Sequence, residues 1–102
     1  MSAEAEVVEV LSRWSGSAVS VRIVTAAEPP ELIAVFAGEL LPMVEEKAPA
    51  LFWPLSQSHP PPAERPGIYL HPESLLRVEH HVGDSVLEFQ HPGVVTNVRH
   101  LG

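Results

Sequence analysis

The sequence predicts a mainly β domain: one N-terminal α-helix followed by a five-stranded, bent antiparallel sheet closed into a small barrel. Three observations carry that prediction. Apolar residues recur at helical spacing only in the first segment, at Val7, Val10, Leu11 and Trp14. The rest of the chain runs in short apolar or alternating stretches punctuated by glycine and proline, the pattern of strands and turns. No second helical stripe follows that could carry parallel crossovers, so the strands are expected to pair antiparallel. The chain has 102 residues, 45% of them hydrophobic, which is material for one core and one domain over 1–102.

The helix is predicted over Ala3–Trp14, with Ser2 as N-cap, Glu4 and Glu6 at the positive helix start, Arg13 near its end and Gly16 as the stop. Val19, Val21 and Ile23 then alternate with Ser20 and Arg22, a half-buried strand that the segment Thr25 to Pro30 terminates. Glu31 to Met43 is apolar on nearly both faces with Gly38 inside it, which reads as a strand buried on both sides or bent sharply at that glycine. Val44 to Ala48 reads as a polar turn, and Ala50 to Leu55, with Phe52 and Trp53, as the third strand of the 18–55 region. Pro54 to Gly67 holds five prolines, too few backbone donors for a central strand, so 56–67 is expected to be a surface loop. Strands four and five and a C-terminal strand occupy 68–101. Ile68–Leu70 begins one strand, and Ser74–Val82 is longer. Gly83-Asp84 reads as a two-residue hairpin turn into Ser85–Gln90. Pro92-Gly93 favours a type II turn before Val94–Leu101.

Three pieces of this order resemble the Sm/LSm small-barrel family, which has an N-terminal helix, five bent strands and a two-part motif split by a variable loop. The helix leading through Gly16 into Val19-Ser20-Val21-Arg22-Ile23 is similar to its opening. Phe36-Ala37-Gly38-Glu39-Leu40 resembles its aromatic-x-Gly-x-Leu strand, and Val82-Gly83-Asp84-Ser85-Val86 the turn before its last strand. The resemblance places the proline-rich loop in the variable loop. It also implies edge-to-edge assembly into rings. The departures fall on the RNA-contacting positions: Val44 and Ala48 stand where the family has Asp and Asn, and Val82 where it has Arg. Aliphatic groups cannot supply the edge hydrogen bonds and stacked cation that hold a base.

Composition removes several classes of function. Thirteen Asp and Glu against six Lys and Arg give a net charge of −7, unfavourable for DNA and for an anionic membrane surface. With no cysteine there is no disulfide, thiolate metal site or thiol nucleophile. No apolar run approaches the ~20 residues of a membrane span. The acidic N-terminus differs from a basic secretory leader, which makes a cytoplasmic protein the expectation.

Six histidines invite a metal or acid–base reading. His59, His71 and His91 each precede proline, and an extended or turn geometry accounts for them. His80 and His81 are adjacent on a predicted strand and point to opposite faces. With Val82 opposite Ser85, one hairpin face holds Leu76, Val78, His80, Val82, Leu87 and Phe89 as the core face. The other holds Leu75, Arg77, Glu79, His81, Val86, Glu88 and Gln90. Glu79 then lies opposite Glu88, with Arg77 and His81 diagonal to offset the repulsion. The candidate metal site is Glu79, His81 and Glu88, and the competing reading is a solvated charged face. The serines occupy no nucleophile motif, Lys47 sits in an acidic turn, and no phosphate loop, dinucleotide fingerprint or calcium loop occurs. The sequence implies no cofactor. The leading expectation is therefore a non-catalytic binding or assembly module. It is expected to self-associate, or to bind a protein partner, through Phe52, Trp53, Val86 and Val95. The alternatives are RNA binding by an assembled ring that gathers Arg13, Arg22, Arg77 and Arg99, and a small metal-dependent protein.

Overall fold

Helix α1 spans Ala3–Trp14 in the computed structural model, which describes residues 3–47, 50–56 and 67–102. It buries the expected stripe of Val7, Val10, Leu11 and Trp14 and packs against the sheet. Burial of each such side chain is worth about 2 kcal/mol, so this short helix is stabilised by docking more than by its own propensity. Gly16 ends it in the left-handed region at φ 89°, a conformation that any side chain would strain. Its N–H donates to the Leu40 carbonyl at 2.7 Å, which ties the helix exit to the sheet. Ser2 lies outside the described residues.

Eight strands follow: β1 (Ala18–Thr25), β2 (Leu32–Leu40), β3 (Val44–Lys47), β4 (Ala50–Ser56), β5 (Gly67–Leu70), β6 (Arg77–His81), β7 (Val86–His91) and β8 (Val94–His100). Every pairing among them is antiparallel. Seven lie in the order β3-β4-β2-β1-β8-β7-β6, and β5 pairs with β4 off that path. Strand β4 changes sheets along its length. Its first part lies between β3 and β5, while Leu55 and Ser56 pair with Leu40 and Glu39 of β2. This short junction joins two arms into one curled sheet around a common core.

Gly38 lies beside that junction. A Cβ there would collide with the Ser56 carbonyl oxygen, so glycine is what lets the two arms meet. The core on the concave side joins the α1 stripe to Val19, Val21, Leu40, Trp53, Leu55, Ile68, Leu70, Leu87, Phe89 and Val98. Helix α1 approaches it from the β6–β7 side.

The mainly antiparallel β architecture with one N-terminal helix is as expected, but four details differ. The described residues hold eight strands, not five. The segment read as a polar turn contains β3, paired through Val44↔Phe52, Glu45↔Leu51 and Lys47↔Ala50. Strand β2 is not buried on both faces: Ile33 and Val35 are exposed. The predicted strand over Ser74–Val82 shortens to β6, because single 3-10 turns take Pro72–Ser74 and Val82–Asp84. Leu76 and Val82, expected on the core face, are therefore exposed, and Leu75 packs against the core instead. The loop expected over 56–67 lies outside the described residues, except that Ser56 ends β4 and Gly67 begins β5.

Candidate functional site

The register of β2-β1-β8-β7-β6 sorts side chains onto two faces. Alternation sends Val19, Val21, Val98, Leu87 and Phe89 inward. Their neighbours form an outer face, away from α1. It carries Ser20, Arg22 and Val24 on β1, Val95, Asn97 and Arg99 on β8, Val86, Glu88 and Gln90 on β7, and Arg77, Glu79 and His81 on β6. At one end the β1–β2 loop stands over this face and encloses an open cleft of about 490 Å3, with Glu28 and Pro30 on the loop side and Val24, Val95, Gln90 and Arg77 as floor. Thr25 pins the loop: its N–H donates to the Glu31 carbonyl at 2.8 Å, and its hydroxyl accepts from the Glu31 N–H at 2.8 Å.

The hairpin register is the one the sequence predicts, with Glu79 directly opposite Glu88. Arg77 resolves the repulsion. One guanidinium nitrogen lies 2.6 Å from Glu79 and the other 3.1 Å from Glu88. His81 Nε2 approaches the second Glu79 oxygen at 3.4 Å. Glu79, His81 and Glu88, the candidate metal ligands, thus share one face, but an arginine stands where a cation would bridge the two carboxylates. Among the described residues no group of three or more His, Asp or Glu side chains is gathered to hold a metal. The pairing is solvated, with Arg77 and Glu79 side chains 44% exposed, so each contact contributes at most about 1 kcal/mol.

The other described histidines face inward or lie at turns. His80 stands edge-on to Trp14 at 6.0 Å and His100 stacks on the same ring at 5.3 Å. His91 sits between His71 and Phe89, and its Nε2 accepts the His71 backbone N–H at 3.0 Å. Burial, and then the neighbouring His71, lower the His91 pKa below its ordinary value of 6.5. His59 lies outside the described residues. Among those described, no serine or threonine hydroxyl bonds a histidine or carboxylate side chain, the arrangement nucleophilic catalysis uses.

The four expected contact residues divide differently from the expectation. Phe52 and Trp53 are wholly buried within the chain, Phe52 stacking on Tyr69 at 4.4 Å. Val86 is 7% exposed, and Val95 is half-buried in the cleft floor. None of these offers a large apolar surface to a partner. That surface lies on β2, where Leu32, Ile33 and Val35 are 54–59% exposed. Among the described residues, β2 is paired on its second side only at Glu39 and Leu40, which leaves the stretch from Leu32 to Gly38 as a free edge. No charged residue occurs between Glu31 and Glu39. The far edge, β6, carries Arg77, Glu79, His80 and His81.

Comparison with protein-family models, curated proteins and solved structures finds no match. The curled antiparallel half-barrel is compatible with a small-barrel fold, and no family assignment follows from it.

Proposed function

We propose that the protein is a non-catalytic binding module that assembles with further copies of itself by pairing β2 edges. The observation that carries this reading is the contrast between the open stretch of β2 and the edge strand β6. Open edges are templates for strand addition, and monomeric proteins guard them with charge, proline or bulges. Strand β6 is guarded in that way. From Leu32 to Gly38, β2 has neither charge nor proline, its one irregularity is the bulge at Ile33 against β1, and its exposed aliphatic side chains flank a backbone that is unpaired among the described residues. Two copies related by a two-fold axis would pair these edges antiparallel, satisfying the backbone groups and covering Leu32, Ile33 and Val35. The Sm-like reading of the sequence points the same way, since edge pairing depends on backbone rather than on the RNA-contacting side chains this chain lacks.

Light scattering on the purified protein at micromolar concentration is expected to give a multiple of the chain mass. The double variant Ile33→Lys/Val35→Lys places like charges on both sides of the seam without touching the core. It should weaken association at least about tenfold, or roughly 1.4 kcal/mol, with the circular dichroism spectrum unchanged. A monomeric wild type, or a double variant that associates as well as wild type, would refute the reading.

A further inference from the structure

We infer that Ser20, Arg22, Asn97 and Arg99 form a binding site for a small, doubly charged oxyanion of the phosphate class. The four residues lie on the outer face of β1 and β8, two strands at the centre of the sheet. Ser20 is paired with Arg99 and Arg22 with Asn97, so the two arginines stand on one diagonal and the two neutral polar groups on the other. Together they line a concavity of about 190 Å3.

Charge is the second observation. In a chain of net charge −7, cations are expected to be neutralised by neighbouring carboxylates. Arg77, on the same face, is held by two. Arg22 and Arg99 have no carboxylate within ion-pairing distance among the described residues, and neither Ser20 nor Asn97 forms a side-chain hydrogen bond there. Two like charges set diagonally on adjacent strands repel, and an anion held between them relieves that repulsion. Here the donors for that anion are already present: two guanidinium forks, an amide and a hydroxyl.

The chemistry narrows the ligand. A single carboxylate balances one arginine and leaves the other unneutralised, whereas a phosphate group carries about −1.5 to −2 near neutral pH and can accept bidentate bonds from both. All four lining residues are polar, so the concavity itself favours a charged group over a base or an acyl chain. The volume is below the roughly 300–1,000 Å3 of pockets for larger organic ligands. The recognised group is therefore phosphate itself, or a phosphate monoester whose organic part extends into solvent. All four residues come from one chain, so the site does not depend on assembly through β2.

The test is a titration followed by amide NMR, run on the wild type and on the single variant Ile33→Lys, which leaves intact Val35, the residue paired with Arg22. Inorganic phosphate, phenyl phosphate and acetate are compared at matched ionic strength. Phosphate is expected to give saturable shifts centred on Ser20, Arg22, Asn97 and Arg99. Arg22→Gln and Arg99→Gln should each weaken binding at least tenfold, while Arg13→Gln, on the helix, leaves it unchanged. Equal or tighter binding of phenyl phosphate assigns a monoester source, and weaker binding assigns the free ion. Linear, unsaturable shifts, acetate binding as tightly as phosphate, or arginine variants that bind like wild type would each overturn the site.

Discussion

Gly38 illustrates how a single absent methyl group controls where backbones can meet. Its position beside the β2–β4 junction leaves no room for a Cβ against the Ser56 carbonyl. Backbone on both sides of the clash cannot move as a flexible side chain would. Gly38→Ala should therefore cost at least about 1–3 kcal/mol in urea unfolding, the range for overpacking a closed site. A cost under half a kilocalorie would mean that the junction opens freely. His91 makes a second prediction, in pH. Above 6.5 the ring is neutral in both folded and unfolded chains, and its contribution to stability is fully present. As pH falls below 6.5 the unfolded chain takes up a proton that the folded chain resists, so stability declines until the lowered folded value is passed. Between about pH 7.5 and about pH 5.5, the wild type should lose more stability than His91→Gln. Equal losses would show that His91 is not the group responsible.

At the level of elements, the β6–β7 hairpin separates register from turn chemistry. Alternation on both strands makes Glu79↔Glu88 legible in the sequence, because any slip by one residue would expose Leu87 and Phe89. The turn itself is not the two-residue Gly83-Asp84 form. Val82–Asp84 makes a 3-10 turn, and Ser85 takes the left-handed conformation at φ 54°. Gly83 has no positive φ, and a Cβ there would meet nothing within 4 Å. Hence Ser85→Gly should stabilise the protein by up to about 1 kcal/mol, and Gly83→Ala should be neutral or slightly stabilising. Thermal unfolding with the reverse order of effects would place the strain at Gly83. Helix α1 was equally legible, since its stripe depends only on local periodicity. The exposure of Leu32, Ile33 and Val35 on β2 was not: an apolar run on both faces has the same pattern whether neighbouring strands or water cover it, and only the pairing partners decide. For the same reason Phe52 and Trp53 read as surface candidates, although β3 and β5 enclose the strand that carries them. The Arg22–Arg99 pair was visible only as scattered basic residues, because the β1–β8 register that brings them together joins opposite ends of the chain.

For the whole molecule, the outer sheet faces two different kinds of contact with opposite dependence on salt. Each chain carries a net charge of −7, so two copies repel, and that long-range repulsion is screened as ionic strength rises. The seam proposed at β2 contains no ion pairs; its free energy comes from backbone hydrogen bonds and from covering Leu32, Ile33 and Val35, terms that salt leaves intact or strengthens. Assembly should therefore hold steady or tighten between about 50 mM and about 500 mM sodium chloride, where the Debye length falls below about 10 Å. Phosphate binding at Arg22 and Arg99 should weaken over the same range, because chloride competes for the same charges. Sedimentation velocity and the phosphate titration, run on the same samples, separate the two. Dissociation of the oligomer on raising salt would show that ionic contacts hold the copies together, which a charge-free β2 seam cannot supply.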